Sequence, residues 1–479
     1  MIGNNFYCKL FFVLIPFLNE IPLLAPYFNP MMKIGLVIGA LYILYDLFHD
    51  RTILKTACIV PAVALILFVS IGTLLHYDSP RFKMNIIEIA YVVVSLLVLF
   101  PTSSKRNHYR ELSVINYLSV GFITIASAIS VVLFFARVSI TYTFNDFSSY
   151  QIGVFNGRLV GLFRTSTYPT AAIVVFCALI QLFMNKTVLQ KQRCWQNKLL
   201  IISIIINVED SILQNSKGIF ISFAGGLLVL VFFAAYRFLS AKQAKPRTLL
   251  NGAAAFGIGG AAVGASYGFL ALIRQLNFWI ADLIEGIKDY LSKRPEIIEH
   301  PESSAPIFVD RVVDERYGLL TGRPYVWKTG LLKALDQPLF GYGPYTLSDN
   351  IFPFEGSTEK LAHFHNFFVQ TLVSGGFCGL IAFLALTLCC ICRLVKALFV
   401  QHSRNDYLPF LAICSLLVFI FIINMADTTI LFMTKHSGFI FFIYLGYAMA
   451  LVGAEKSFKI DRPAQWLDSL FSKSKKAGD

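Results

Sequence analysis

Apolar residues in this chain come in long blocks rather than in the short alternations of a soluble core. A helix that crosses a bilayer needs about 20 mostly apolar residues, at a rise of about 1.5 Å each. Blocks of that kind fall near 8–28, 33–48, 56–75, 85–101, 112–136, 168–184, 197–213, 217–238, 248–273, 365–392, 407–425 and 434–453. The pattern predicts an all-α polytopic membrane protein of about twelve transmembrane helices, with one large helical loop at 274–364. The block at 248–273 is rich in small residues (Gly252, Gly257, Gly259, Gly260, Gly264), which suits close helix contact. No small-residue cleavage site follows the first block, so it is expected to remain as a span. No internal repeat is visible.

Composition agrees with this reading. The 479 residues are 56% hydrophobic and 14% charged, against about a quarter charged in soluble domains. Mean hydropathy is +0.65. The 41 Lys and Arg exceed the 28 Asp and Glu, giving a net charge of +13. In a soluble chain that excess would point to nucleic acid. Here more than half of the cations fall in alternate connections: Lys9, Arg51, Lys55, Lys105, Arg106, Arg110, Lys186, Lys191, Arg193, Lys198, Arg237, Lys242, Lys245, Arg247, Arg393, Lys396, Arg404 and the basic tail 455–479. The positive-inside rule assigns that side, with both termini, to the cytoplasm. The loop 137–167, the turn near 208–216, the segment 274–364 and the turn near 426–433 then face outward, away from ATP and nucleotide sugars. No nucleic-acid partner is implied.

Of the nine cysteines, Cys58, Cys177, Cys378, Cys389, Cys390 and Cys414 lie in or at the ends of apolar runs and read as small hydrophobes. Acylation or metal binding is the alternative for Cys389, Cys390 and Cys392. No cysteine lies between 195 and 377, so no disulfide is expected in the long outer segment. In that segment Leu276, Ile280, Leu283, Ile287 and Leu291 recur at helical spacing, with Asp282, Glu285, Lys288 and Asp289 between them. An amphipathic helix over 274–293 is expected, lying on the bilayer or capping the bundle, with Trp279 at the interface. Pro295, Pro301 and Pro306 break regularity. A second helix is predicted from near Pro324 to Leu335, stopped by Pro338 and the turn Gly341–Tyr342–Gly343–Pro344.

No phosphate-binding glycine loop and no HExxH zinc pattern is present. What stands out is His363–Phe364–His365–Asn366 at the entry to the tenth block. A histidine at the outer membrane surface accepts protons near neutral pH, although such a residue also serves as a hydrogen-bonded structural group. The His-x-His spacing has no obvious third ligand, so neither metal nor cofactor is expected. A second constellation is cationic: Arg323 at a helix head, Arg158 and Arg164 before the sixth block, and Lys217 within Asn215–Ser216–Lys217–Gly218. Each alone reads as a solvated or headgroup-contacting cation. Together, on a face that the charge rule depletes, they suit an anion such as a lipid diphosphate, for which arginine offers a bidentate fork. Asp427 is the one acid in an apolar stretch and either orients a cation or histidine or ends a helix.

Three elements occur in order: Gly322–Arg323–Pro324–Tyr325–Val326–Trp327, Pro338–Leu339–Phe340–Gly341–Tyr342–Gly343, and His365–Asn366 with Gly375–Gly376 and Gly379–Leu380. This pattern resembles the O-antigen ligase and polymerase superfamily. Upstream, Gly157–Arg158–Leu159–Val160–Gly161, Tyr168–Pro169–Thr170–Ala171 and Asn215–Ser216–Lys217–Gly218 are similar to the family's segments, as is Asp427 through Gly446–Tyr447. The resemblance spans roughly 155–450. It divides the chain into N-terminal helices 1–150, a ligase/polymerase-like membrane domain 151–454 and the tail 455–479.

The resemblance implies a membrane glycosyltransferase C-like fold in the bacterial plasma (inner) membrane, with an extracytoplasmic active site needing no metal, cofactor or nucleotide sugar. The implied partners are an undecaprenyl-diphosphate-linked glycan donor, a glycan acceptor, the lipid bilayer, a flippase and a chain-length regulator. Carried over, His365 matches the histidine that activates the acceptor hydroxyl, and Arg323 the outer-loop arginine that serves the diphosphate. Lys217 stands where the family usually has arginine, which keeps the charge but loses the fork; Arg158 and Arg164 are candidates to compensate. His363, Asn366 and Asp427 complete the substrate-binding set. Breaking an anomeric carbon–diphosphate bond needs a stabilised leaving group and a deprotonated nucleophile, and attack opposite the leaving group predicts inversion. The Gly341–Tyr342–Gly343 turn and the Leu445–Gly446–Tyr447 ending favour a polysaccharide polymerase, with ligation to the lipid A core as the alternative. A lipid-linked oligosaccharide flippase or other transporter would show inverted repeats and intramembrane charges along a pathway, and neither is evident in the sequence.

Overall fold

A computed structural model describes residues 5–21, 24–102, 108–145, 148–155, 158–163, 169–189, 194–241, 248–292, 323–347, 363–400, 406–426, 428–432 and 436–453. Among the described residues, every predicted apolar block is largely helical. In chain order the helices are α1 (Phe6–Glu20), α2 (Ala25–Phe48), the short α3 (Thr52–Lys55), α4 (Ile59–Leu75), α5 (Phe82–Val94, continued by a π-helical turn Ser95–Leu99), α6 (Tyr109–Phe135), α7 (Thr170–Thr187), α8 (Cys194–Leu213), α9 (Lys217–Ala241), α10 (Thr248–Ser292), α11 (Arg323–Asp336), α12 (Phe367–Val400), α13 (Tyr407–Asn424) and α14 (His436–Gly453). Eight of them are long and apolar enough to cross a membrane, and Phe6–Phe17, Ile59–Leu75 and Ser437–Val452 are shorter apolar helices. Large apolar side chains such as Val37, Leu41, Leu67, Ile125 and Val132 face outward. In water such a surface would aggregate, and in lipid it is matched. The chain is a multi-pass membrane protein.

Of the eight long apolar helices, α7 and α13 are the most buried. They pack against each other, and α9 and α6 close around them. Gly226 of α9 meets the Ser415 carbonyl and Gly225 meets Ile422. The Tyr407 hydroxyl donates to the Phe233 carbonyl at 3.3 Å. These contacts set α9 antiparallel to α13.

Four expectations are revised. First, the 137–167 loop contains a three-stranded antiparallel sheet, β1 (Ser139–Asn145), β2 (Ser148–Phe155) and β3 (Arg158–Gly161), in the order β1-β2-β3. The alternation Ile140, Tyr142, Phe144 among Ser and Thr is a strand pattern, so the fold is an α-helical bundle with one small sheet added. Second, the amphipathic stretch from 274 does not lie across the bundle. It continues α10 without a break, making one helix of 45 residues, about 68 Å long. No Pro or Gly interrupts it after Gly268 until Gly286, and Asn277 hydrogen-bonds Glu209 of α8, which keeps it in line. Third, Cys58 and Cys389 are not simple hydrophobes but form a disulfide joining α4 to α12. Fourth, the spans hold buried charges: Lys9, Glu88, Glu111 and Asp210 are each 4% exposed or less. The prolines 295, 301 and 306, the rest of 293–322 and 348–362, and the basic tail lie outside the described residues.

Lys9 and Glu111 form a polar knot with Tyr447. Lys9 Nζ donates to Thr102 Oγ1 at 2.6 Å and stands 4.4 Å from the centre of the Tyr447 ring. The Tyr447 hydroxyl donates to Glu111 Oε2 at 3.0 Å, and His108 Nδ1 lies 3.6 Å from the same oxygen. Removing one member of such a group strands the others without water. Glu111→Ala is therefore expected to cost about 3–5 kcal/mol, read as a lower unfolding midpoint of the purified protein. An unchanged midpoint would refute the knot's structural weight.

Candidate active site

α12 is not a regular helix. Gly376 sits at φ 63°, ψ −166°, which breaks the helix one-third of the way along. A break frees backbone groups that lipid cannot satisfy. Here the turn after α11 satisfies them. Tyr342 N–H donates to the Val373 carbonyl at 2.9 Å and Gly343 N–H to the Ser374 carbonyl at 2.9 Å. In return Phe377 N–H donates to the Pro338 carbonyl at 2.7 Å and Cys378 N–H to the Leu339 carbonyl at 3.2 Å. Glycine is required on both sides of this interlock. A Cβ on Gly376 would overlap the Leu339 carbonyl, one on Gly341 the Val373 carbonyl, and one on Gly72 of α4 the Phe340 carbonyl. The Gly341–Tyr342–Gly343 turn and the Gly375–Gly376 pair are thus two halves of one joint.

The joint fixes the direction of α11. Pro338 lies beside Phe377, while Gly330 rests on Val369 and Phe364. α11 and α12 therefore run parallel, and their first residues share one end of the bundle. Val326, Gly330 and Ala334 are the buried face of α11, and Arg323 falls on that same face by helical spacing. Arg323 is half-buried.

Around α12's start a set of side-chain hydrogen bonds holds the turn that carries His365. Asn366 Oδ1 accepts from Phe368 N–H at 2.9 Å and Val369 N–H at 3.2 Å, the geometry of an N-cap. Its Nδ2 donates to the Met425 carbonyl at 3.0 Å, tying α12 to the end of α13. Gln370 accepts from Phe364 N–H at 3.2 Å and donates to the Pro344 carbonyl at 3.1 Å, so it joins the histidine turn to the α11 joint. His365 itself has φ 50°, a left-handed conformation that costs a non-glycine residue about 1–3 kcal/mol. Its N–H donates to His363 Nδ1 at 3.2 Å, and the two rings lie 4.0 Å apart. His365 is half-buried. Beneath it Phe367 meets Phe383 and Phe421 at ring separations of 5.4 and 5.1 Å. Below that aromatic layer an apolar cavity of about 200 Å³ is lined by Phe383, Leu386, Cys414 and Phe421. The floor under the histidine turn is aromatic and apolar.

Lys217 is the first residue of α9 and is exposed. Because α9 is antiparallel to α13, and α13 ends where Asn366 holds Met425, Lys217 shares the His365 end. A lysine at a helix N-terminus opposes the dipole, so helix stability does not explain it. Arg158 opens β3, whose Leu159 packs with Phe134 of α6 and Leu213 of α8. Leu162 N–H donates to Ser130 Oγ at 2.9 Å, which anchors the sheet on α6. Leu159 thereby rests against the last residue of α8, Leu213. Arg164 and Asp427 lie outside the described residues. Three helix N-termini, those of α9, α11 and α12, thus point to one end of the bundle and start with Lys217, Arg323 and the His365–Asn366 turn. Such an end favours an anion twice over, through its dipoles and through its side chains.

Residues without a place in the sequence reading also hold the site. Tyr345 N–H donates to Asn85 Oδ1 at 2.5 Å, and its hydroxyl donates to Glu88 Oε2 at 3.3 Å, fixing the turn on α5. Burial, then the Glu88 carboxylate, pushes the Tyr345 phenol well above its ordinary value, so it stays a donor. Glu88 and Asn85 were legible as polar interruptions of an apolar block. No group of three or more His, Cys, Asp or Glu with metal-holding geometry occurs among the described residues.

Residues 200–384 match the family described as O-Antigen ligase. The match covers Lys217, Arg323, His363, His365, Asn366 and both halves of the joint, and leaves out Arg158. No curated protein matches the chain.

Proposed function

We propose that the chain is a glycosyltransferase that moves a glycan from an undecaprenyl-diphosphate donor to a sugar hydroxyl, polymerising repeat units of a surface polysaccharide. The observation that carries this reading is the parallel α11–α12 pair, which brings Arg323 and His365 to one end. In the proposed reaction His365 takes the acceptor proton as the oxygen attacks the anomeric carbon. Arg323 and Lys217 stabilise the diphosphate as it leaves, and attack from the opposite face inverts the anomeric centre. The donor is already activated, so the proposed step needs neither cofactor nor metal. The proposed orientation has twelve spans in a bacterial inner membrane, both termini cytoplasmic and the His365 end outside, where flippase and chain-length regulator would work beside it.

The test is a gel of surface glycan from cells carrying Arg323→Ala or His365→Ala at wild-type membrane levels. Single-repeat material supports polymerisation. Long lipid-linked chains that never reach the lipid A core would favour the ligase instead. Normal glycan in both variants would reject transfer at this site. Lys217 gives a finer expectation: Lys217→Ala should raise the donor KM by about tenfold, one lost charge-assisted contact, while Lys217→Arg should hold or lower it. Equal KM values for all three proteins would remove Lys217 from donor binding.

A further inference from the structure

The interface between α6 and α8 is polar through much of its depth. Thr124 and Ser203 share a hydrogen bond at 2.6 Å, Asn207 Nδ2 donates to Thr124 Oγ1 at 2.9 Å, and Ser127 Oγ donates to Asn207 Oδ1 at 3.0 Å. The line ends at Asp210. Its Oδ2 accepts from Gln214 Nε2 at 3.0 Å and from Ser127 Oγ at 3.3 Å. Asp210 is 0% exposed and Gln214 2%. Asp210 Oδ1 and Gln214 Oε1 have no hydrogen-bond partner. The charge that bears on Asp210 is Glu209, another carboxylate.

Two buried oxygens, one turn apart on the same helix face, therefore lack any donor. A buried carboxylate without a counter-charge is costly, and inside a span it marks a functional group. A proton on Asp210 would bridge the two oxygens, and a cation would do so with the carboxylate still ionised. A small cation answers both oxygens at once. One carboxylate among carboxamide and hydroxyl oxygens is a hard donor set carrying a single negative charge. That matches a monovalent alkali cation better than Ca²⁺ or Mg²⁺, which gather more carboxylates or keep several waters.

We infer that Asp210 and Gln214, with the Ser127 hydroxyl beside them, form a sodium-class cation site between α6 and α8. Gln214 is three residues before Lys217, and the turn between them carries Asn215 at φ 50°. A bound cation would hold the end of α8 and so fix the turn that presents Lys217.

The test uses the purified full chain. Bound sodium-22 is expected at about one per chain, and the unfolding midpoint is expected to rise by about 2–4 °C when choline chloride is replaced by sodium chloride at equal ionic strength. Asp210→Asn should abolish both, and Gln214→Leu should weaken sodium binding at least about tenfold. His365→Ala should retain both, which separates this site from glycan transfer. Absence of sodium-22 on the wild-type protein would overturn the inference whether or not the variants fold. An equal midpoint rise in Asp210→Asn, or binding of Ca²⁺ in place of sodium or potassium, would overturn it as well.

Discussion

Turnover of a lipid-diphosphate donor by the purified protein is expected to fall by about 10²–10⁴-fold when His365 is replaced by Ala. The fold should survive, because the groups that hold the turn belong to its neighbours. Asn366 caps α12 and reaches Met425, and Gln370 ties Phe364 to Pro344. Glycine at the same position sharpens the test. It removes the imidazole but also relieves a left-handed residue, so stability should hold or rise by about 1 kcal/mol while turnover falls as far as in the alanine variant. Arg323→Ala should lose about 10²–10³-fold, the range for removing one preorganised charge stabiliser, and Arg323→Lys should recover part of it. Turnover within a factor of three of wild type in the alanine and glycine variants would show that the proton goes elsewhere.

Gly376→Val is expected to empty the membrane of folded protein. The dihedrals at Gly376 belong to a region that side-chain-bearing residues avoid. A Cβ would also overlap the Leu339 carbonyl, and four backbone hydrogen bonds cross the joint at that point. Strain of about 1–3 kcal/mol plus the loss of two or more buried bonds, each about 1–3 kcal/mol when left unmade, exceeds what a single substitution usually costs. Gly341→Val should behave alike from the other side. Gly264→Ala is the control, because a Cβ there meets open space. Normal yield and midpoint for Gly376→Val would mean that the break in α12 is dispensable.

The bundle was legible because lipid demands long apolar runs, and among the described residues those runs fall largely on helices. The start of α11 was legible from Arg323–Pro324, since proline suits a helix's first turn, and its end from Pro338. The sheet was not legible. Its strands alternate apolar residues with threonines and serines, so a search for long apolar runs passes over them. The straightness of α10 was obscured for another reason. The amphipathic pattern after 273 marks which face is polar, and says nothing of the angle to the preceding helix. The roles of the family glycines were hidden because Gly341 and Gly376 meet across a gap of some thirty residues, and only the folded chain shows them as partners. Asp210 was hidden by its own neighbours, since the acid pair Glu209–Asp210 at its end scarcely lowers the hydropathy of a run that includes Leu199–Leu200–Ile201–Ile202 and Ile204–Ile205–Ile206.

The joint between α11 and α12 also bears on how a tolerance map of this protein would look. Gly72, Gly341 and Gly376 stand about 20 Å or more along the helix axis from Arg323, yet they set where Arg323 is. Saturation mutagenesis scored by surface glycan would rank them beside His365 and Arg323, as though all five touched substrate. Scoring the same library for folded protein in the membrane would split the group. The three glycines would fail both screens, and the histidine and arginine would fail one.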